Sequence, residues 1–381
     1  MKKRYVLSRI AIVLAGLLVG LFCIEAILRA SIALGTDPMY LAQEGPDANG
    51  FRNEAIPDRV DIVAIGDSQT WGINARRAQA WPQMLARLSG QSTYNMGLGG
   101  NGPVEYWVLT DKALRLSPKV VVIGLYFGND IWDAYYTVYH HDTYPFLRNN
   151  QVDNELLRDT VLPQVIDVEG EQKEHGTWLE RSIFANFGHE LNLRSVAFRL
   201  LWRSWVTLSD SQYKSAEAWA QANPDEGAIY KQGGTNYILE PGYRLPALDL
   251  DNPVIVEGLR ITKQMLLFIQ NKTNAADANL ILLLIPTQEM VYADVIETSN
   301  GYLSPTYNRL VQMETRIRTE IISLCDEKGI HYVDALPALI EALRRGEVIY
   351  PRYINGHPRA EGYSVIASTL NEALKSLGWF E

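Results

Sequence analysis

The sequence predicts an α/β fold: a three-layer, doubly wound parallel sheet with a large insertion and an N-terminal transmembrane helix. Three observations lead to this prediction. Short apolar runs alternate with stretches of helical spacing, as in parallel sheets covered by helices on both faces. The alternation stops over residues 135–250, which predicts an insertion. The chain begins with a basic segment followed by a long apolar one, the pattern of a membrane-inserted helix.

The overall composition is that of a globular protein, with 47% hydrophobic and 21% charged residues among 381. The formal net charge of −9 argues against a nucleic acid as partner, because phosphate binding needs clustered Lys and Arg. Only two cysteines are present. Cys23 lies in the apolar N-terminal segment and Cys325 in a predicted helix, so a disulfide between them is not expected.

The N-terminal segment predicts a single-pass signal anchor over residues 1–35. Four basic residues precede an unbroken apolar run over residues 10–24, and the hydrophobic stretch continues beyond a Glu25–Arg29 pair. These two side chains are one helical turn apart and can pair, which lowers their cost in lipid. At a rise of about 1.5 Å per residue the segment is long enough to cross a bilayer.

The basic flank predicts that the N-terminus stays in the cytoplasm and that the rest of the chain lies on the periplasmic side. One alternative is a cleaved signal peptide, for which Ser31-Ile32-Ala33 is a weak cleavage site. The other is an ordinary buried helix.

Residues 36–58 are rich in turn-forming residues and predict a linker. The main domain is expected over residues 59–377, with its insertion at about 135–250. Five short apolar runs predict strands at 60–65, 92–96, 119–125, 279–285 and 330–333. Helical spacing predicts helices at 81–88, 103–116, 254–272, 305–328, 336–346 and 360–377. The insertion, which is rich in Trp and Tyr, is either a cap over a substrate cleft, a packed accessory subdomain or a partner surface.

The segment after the first strand carries the main chemical signal. It reads Gly66-Asp67-Ser68-Gln69-Thr70-Trp71-Gly72. A serine at such a turn presents its hydroxyl at the C-terminal edge of the sheet, where parallel α/β folds place their ligand sites. The glycine allows a tight turn, and the backbone N–H of Ser68 can face a developing oxyanion. A plain turn followed by a helix N-cap is the alternative interpretation.

Four ordered blocks resemble those of the SGNH/GDSL hydrolase family, and they cover about 60–135 and 275–377. GDSQTWG resembles the first block, and Tyr94-Asn95-Met96-Gly97-Leu98-Gly99-Gly100 resembles the Asn-x-Gly-x-x-Gly block. Gly128-Asn129-Asp130 resembles the Gly-x-Asn-Asp block, although Phe127 stands where the family has glycine. Asn355-Gly356-His357-Pro358 resembles the His-Pro loop before the final helix. The resemblance implies an SGNH, flavodoxin-like fold.

The resemblance also implies the roles of the site residues. Ser68 would be the nucleophile and His357 the general base. The backbone N–H groups of Ser68 and Gly100 and the side-chain amide of Asn129 would form the oxyanion hole. The substrates of the family are carboxylic esters, often acyl or acetyl groups on carbohydrates or lipids.

One departure from the family pattern bears directly on the mechanism. The acidic partner of the histidine is expected at Asn355 or Ile354, and neither is a carboxylate. In serine proteases the corresponding Asp-to-Asn change lowers kcat by about 10⁴-fold, because the imidazole is held in the wrong tautomer. Three explanations stay open: a Ser–His dyad whose histidine is oriented by Asn355 or a backbone carbonyl, a substitute acid such as Asp334 or an acid of the insertion, or a degenerate site.

The predicted function is that of a membrane-anchored, extracytoplasmic esterase. It would hydrolyse carboxylic esters of small molecules or cell-envelope glycan through an acyl-serine intermediate. An O-acyltransferase acting on exported polysaccharide would use the same residues. A non-catalytic envelope protein that binds glycan or a partner is the alternative that Asn355 motivates. No cofactor and no metal is expected, and His140-His141-Asp142 is interpreted as a surface loop because no further ligands lie nearby in the sequence.

Overall fold

The structure is a computed structural model and describes residues 46–141, 143–149, 210–299, 302–352 and 356–380, together with Gly16 and Gly20. Contacts divide the chain into two units, Met1–Gly45 with Ile166–Gln212 and Pro46–Val165 with Tyr213–Glu381. The first unit lies almost entirely outside the described residues, and so does the predicted anchor over 1–35. Among the helices that are described, none has the length and apolar character needed to cross a bilayer.

The secondary structure of the second unit alternates between strands and helices along most of the chain. The elements in chain order are β1 (Ile62–Gly66), α1 (Ser68–Trp71), α2 (Trp81–Ser89), β2 (Thr93–Gly97), α3 (Pro103–Leu114), β3 (Val120–Tyr126), α4 (Asp130–His140), α5 (Asp210–Ala222), β4 (Ala228–Gln232), β5 (Thr235–Leu239), α6 (Pro241–Arg244), α7 (Pro253–Ala275), β6 (Asn279–Ile285), α8 (Gln288–Thr298), α9 (Pro305–Lys328), β7 (His331–Asp334), α10 (Leu336–Arg344) and α11 (Ala360–Ser376). Short 3₁₀ turns lie at Arg77–Gln79, Pro145–Leu147 and Leu245–Ala247.

The central sheet has five strands in the order β2-β1-β3-β6-β7, and every neighbouring pair is parallel. The predicted doubly wound sheet is therefore confirmed, and each predicted strand lies within two residues of an observed one. The strand order reverses between β1 and β3. In open α/β sheets this switch point opens a crevice at the C-terminal strand ends, where ligands bind.

Strands β1, β3 and β6 are buried on both faces, and their side chains pack into two separate cores. In β1, Val63 and Ile65 pack in one cluster with α3, α4 and α7, whereas Ile62 and Ala64 pack in the other with α2, α8, α10 and α11. The same alternation continues in β3 and β6. Burial of each such Val or Ile side chain contributes roughly 1.5–3 kcal/mol. The near-continuous apolar runs in the sequence follow from this burial on both faces.

The two longest helices have clear start signals in their sequences. Asn252 precedes α7, and its side chain accepts a hydrogen bond from Val254 N–H. Ser304 precedes α9 and accepts from Tyr307 N–H. Both helices place Pro at the first position, where the missing N–H has no intrahelical partner to lose.

The segment predicted as an insertion over 135–250 begins inside a helix of the main layer, α4. This helix escaped prediction because its aromatic side chains stack on one another along the helix, as Tyr135 does on Tyr139 at 4.9 Å between ring centroids, and so blur the apolar periodicity. Helix α8 was also missed, because its first turn buries the polar Gln288 and Glu289. The end of the insertion forms an antiparallel hairpin, β4–β5, followed by α6.

Candidate active site

Ser68 lies immediately after β1, as the first residue of the short helix α1. The Asp67 side chain caps this helix by accepting a 2.8 Å hydrogen bond from Gln69 N–H. The Thr70 side chain lies so close to Gly66 that only glycine fits there, since a β carbon on Gly66 would lie 2.1 Å from Thr70 Oγ1. The tight turn therefore holds the partly exposed Ser68 side chain at the C-terminal edge of the sheet.

The His357 imidazole reaches Ser68 from the other end of the chain. His357 Nε2 and Ser68 Oγ are 2.7 Å apart. A nucleophile and a general base must lie within about 2.6–3.2 Å of each other, and this pair does. With Nε2 unprotonated, the Ser68 hydroxyl donates to it, which is the arrangement that removal of the serine proton requires. The structure thus brings together the two residues that the sequence placed in separate motifs.

The loop that carries His357 is tied to the segment around Ser68 by two further hydrogen bonds. Asn74 Nδ2 donates to the His357 carbonyl oxygen at 2.9 Å. Gln69 Nε2 donates to the carbonyl of Gly356 at 3.1 Å. Both donors lie within six residues of Ser68 in sequence, so the base loop and the nucleophile segment are held as one assembly.

The residue expected to orient His357 lies outside the described residues, which omit 353–355. The role of Asn355 therefore stays a prediction. One substitute acid can be judged. The Asp334 carboxylate accepts hydrogen bonds from Arg318 and, at 3.0 Å, from Leu336 N–H, so it closes the end of β7. These contacts argue against Asp334 as the partner of His357.

The glycine-rich segment after β2 lies beside Ser68. Leu98 N–H donates to the carbonyl of Gly66 at 3.0 Å, which continues the β1–β2 pairing past the strand ends. A β carbon on Gly99 would lie 3.8 Å from Ser68 Cβ, an ordinary van der Waals distance. Gly100 follows with φ of +81°, a conformation that glycine adopts without strain. Leu98, Gly99 and Gly100 are all exposed.

Asn129 follows β3 and occupies the N-cap position of α4, but its side chain does not cap that helix. Its Nδ2 atom donates instead to Asp133 Oδ2 at 2.5 Å. Its Oδ1 atom is buried, and no described residue donates a hydrogen bond to it. The residue as a whole is partly buried.

Three carboxyl groups lie close to this edge. Burial raises the pKa of Asp67 to about 7 and that of Asp133 to about 8, against hydrogen bonds that lower both. Burial also raises the pKa of Asp130 well above its usual value, and the neighbouring Asp67 and Asp133 charges raise it further. Asp130 accepts hydrogen bonds from Tyr106 O–H and Tyr126 N–H, both at 2.9 Å, and so joins α3, β3 and α4.

Two further residues support the site, and one of them, Arg52, was not singled out in the sequence. Arg52 donates to the carbonyls of Gly72 at 2.7 Å and Ala75 at 2.9 Å, just after α1. Arg52 belongs to the segment that was predicted as a linker, yet it is only 8% exposed. Asn95 donates to the carbonyl of Thr70 at 2.9 Å and joins the end of β2 to α1. Asn95 is the asparagine of the Asn-x-Gly-x-x-Gly block, whereas Arg52 has no sequence pattern of its own that indicates its long-range contacts.

The end of the insertion also contacts the base loop. Ile238 N–H of β5 donates to the carbonyl of Arg352 at 3.0 Å. The Arg244 guanidinium lies against Gly356, where a β carbon would come within 2.3 Å of Arg244 Nη2. Arg244 Nε lies 3.9 Å from Glu289 Oε2, and both side chains are largely buried. This part of the insertion therefore supports the loop that carries His357.

His140 and His141 were predicted to lie in a surface loop. His140 is instead the last residue of α4, where its ring stacks on Tyr136 at 4.6 Å between centroids, and His141 follows as the C-cap. Asp142 lies outside the described residues. Within the described ranges there is no group of three His, Cys, Asp or Glu side chains that could hold a metal ion.

No protein-family model and no curated protein matches this chain. Solved structures do match. One is a putative lipolytic protein of the G-D-S-L family from Desulfitobacterium hafniense, at 14% identity and a TM-score of 0.39, with 82% of this chain and 99% of that chain covered. A second is a catalytic mutant of an acetylxylan esterase from Geobacillus stearothermophilus, at 12% identity and a TM-score of 0.38, covering 86% and 98%. A third is a putative acylhydrolase from Bacteroides fragilis, at 12% identity and a TM-score of 0.35, covering 89% and 93%.

Proposed function

We propose that this chain is a serine esterase of the SGNH/GDSL type, which cleaves carboxylic esters through an acyl-serine intermediate. The observation that carries the proposal is the 2.7 Å contact between Ser68 Oγ and His357 Nε2. It lies at the C-terminal edge of a doubly wound sheet, next to the point where the strand order reverses.

In the first step, Ser68 Oγ attacks the ester carbonyl carbon while its proton passes to His357 Nε2. The carbonyl π bond opens, and the negative charge collects on the former carbonyl oxygen. The Ser68 N–H, the Gly100 N–H and one N–H of the Asn129 amide are the proposed donors to this oxyanion. Loss of one such donor typically lowers kcat by about 10²–10³-fold.

In the second step, the tetrahedral intermediate collapses and the C–O bond to the alcohol breaks. The His357 imidazolium returns its proton to the departing alkoxide, which leaves as a neutral alcohol. A water molecule then repeats the sequence on the acyl-serine, with His357 as base. The acid is released and Ser68 recovers its hydroxyl proton.

Ester-bearing envelope glycan is the proposed substrate class, and the periplasmic side of the membrane is the proposed location. The support is the basic flank and apolar run of residues 1–35, which predict an N-terminal anchor. External protease should degrade the domain in intact spheroplasts. In a separate sample without protease, the protein should stay in the membrane fraction after carbonate washing. Protection from protease until the cells are lysed would contradict this location.

A fluorophosphonate probe tests the proposed nucleophile, because it reacts covalently with activated serines. The full-length chain should be labelled, and Ser68→Ala should abolish the labelling. Ser376→Ala is the matched control, because Ser376 is an exposed serine at the end of α11 and should not affect labelling. Failure of the folded wild-type chain to react, or undiminished labelling of Ser68→Ala, would exclude the proposed mechanism.

Acetate release from a simple acetyl ester separates hydrolysis from acyl transfer. The proposed esterase should release acetate without any added acceptor, since water completes its second step. Strict dependence on an added glycan acceptor would indicate an O-acyltransferase that uses the same serine.

A further inference from the structure

The Asn129 side chain can present either of two chemically opposite ends to the edge of the sheet. Its carbonyl oxygen only accepts hydrogen bonds, whereas its NH₂ group only donates them. An oxyanion can be stabilised by the NH₂ end alone. At an N-cap position, asparagine commonly turns its oxygen toward the first N–H groups of the helix. Something must therefore hold the Asn129 amide away from that arrangement.

Asp133, one helical turn further along α4, makes the contact that decides the orientation. Its Oδ2 atom lies 2.5 Å from Asn129 Nδ2. A carboxylate only accepts hydrogen bonds, so it selects the NH₂ end of the amide. Burial raises the pKa of Asp133 to about 8, but an unprotonated oxygen of the carboxyl accepts the bond in either state. No described residue donates a hydrogen bond to the other end, Asn129 Oδ1.

Asp133 itself is held by the close packing of α4 against the start of α3. A β carbon on Gly102 would lie 2.7 Å from Asp133 Cβ, closer than side chains tolerate. Glu105 joins the same two helices, since it accepts from Gly102 N–H at 3.0 Å and from Thr137 Oγ1 at 3.0 Å. The Asp133 carboxyl that contacts Asn129 is therefore held in place by the packing of α4 against α3.

We propose that Asp133 is a positioning residue: it holds one N–H of the Asn129 amide, and so leaves the other directed toward the edge at which Ser68 lies. The inference rests on the proposed esterase function, in which Asn129 donates to the oxyanion. Asp133 does not contact the substrate. Its effect on the reaction passes through Asn129 alone, and a double-mutant cycle between the two residues can measure it.

The test compares Asn129→Ala, Asp133→Leu, Asp133→Asn and the double variants in the full-length chain with 4-nitrophenyl acetate as substrate. Asn129→Ala should lower kcat by about 10²-fold. Asp133→Leu removes the acceptor and should lower kcat roughly tenfold, with KM changed less than about twofold. Asp133→Asn keeps an acceptor oxygen and should recover most of that loss. In the Asn129→Ala background, Asp133→Leu should cause no further decrease.

Glu257→Gln is the matched control, because Glu257 is a buried carboxylate of α7 that accepts a 2.9 Å hydrogen bond from Tyr139 of α4, the helix that also carries Asp133. It should lower the melting temperature without changing kcat. If Asp133→Leu does not fold, Asp133→Ala, which is smaller and also removes the acceptor, completes the cycle. Equal losses of kcat from the Asp133 changes in both backgrounds would overturn the positioning role. Full activity of Ser68→Ala or Asn129→Ala would instead overturn the proposed mechanism itself.

Discussion

At the scale of single residues, the site depends on short polar contacts that hold two distant segments together. Ser68 and His357 meet at 2.7 Å, and Asn74 supports the meeting by donating to the His357 carbonyl at 2.9 Å. Asn74 has φ of +67°, in the left-handed region. Among residues other than glycine, asparagine adopts this conformation more readily than most. Its amide is thus aimed by an unusual backbone conformation.

The contribution of the Asn74 amide can be separated from that of its backbone. Asn74→Gly keeps the positive φ without strain and removes the side-chain hydrogen bond to the His357 carbonyl. We expect kcat/KM for an acetyl ester to fall roughly threefold to tenfold, the effect of one modest hydrogen bond on a base position. Unchanged kinetics in a folded Asn74→Gly variant would show that His357 is positioned without this contact.

At the scale of elements, the hairpin β4–β5 and helix α6 place the end of the insertion in contact with the loop that carries His357. The backbone hydrogen bond from Ile238 to Arg352 and the contact of Arg244 with Gly356 are the two points of support. Gly356 has φ of +62°, and the guanidinium occupies the space of its missing side chain. The loop carrying His357 therefore fits only with glycine at this position.

Gly356→Ala should lower kcat at least tenfold, because the new methyl group must displace Arg244 or the loop that carries His357. Gly346→Ala is the matched control, since Gly346 has φ of +84° and open space around it. Both variants should lose about 1 kcal/mol of stability from the left-handed backbone. Equal kcat values for Gly356→Ala and Gly346→Ala would show that the contact of Arg244 with Gly356 does not position His357.

At the scale of the whole molecule, buried carboxyl groups make stability depend on pH. Burial raises the pKa of Glu314, a fully buried residue that binds Thr287 N–H at 3.0 Å, to about 7. In the unfolded chain this group has its ordinary pKa near 4.5. Between these two values the folded state binds more protons than the unfolded state, so the free energy of unfolding falls as the pH rises. Asp67 and Asp133 contribute in the same direction.

Denaturant titrations should therefore show the free energy of unfolding falling from about pH 4.5 to about pH 7, by at most on the order of 1 kcal/mol per pH unit for each such group. Glu314→Gln cannot ionise, so its curve should fall less steeply over this window. Parallel curves for the variant and the wild-type chain would show that Glu314 does not titrate with a raised pKa.

Much of the fold could be predicted because its signals are local. The five strands of the central sheet were predicted to within two residues, since burial gives continuous apolar runs, whereas the hairpin β4–β5 was not predicted. The candidate site residues Ser68, Gly100, Asn129 and His357 come from their motifs. Helices α4 and α8 were missed because stacked aromatic rings and buried polar residues replace an apolar stripe. The residue patterns of these two helices can be interpreted only when the helices and strands packed against them are known.

The sequence by itself determined the five strands of the central sheet, six of the helices and the residue types at the ends of those strands, because backbone preference and burial act over a few residues. Only the tertiary structure decided which of those residues meet. Three contacts depend on packing between helices, the loop that carries His357 and the insertion. They are the contact between Ser68 and His357, the packing of Arg244 against Gly356 and the hydrogen bond from Asn129 to Asp133. Such contacts depend on distances in space, which no pattern along the chain records.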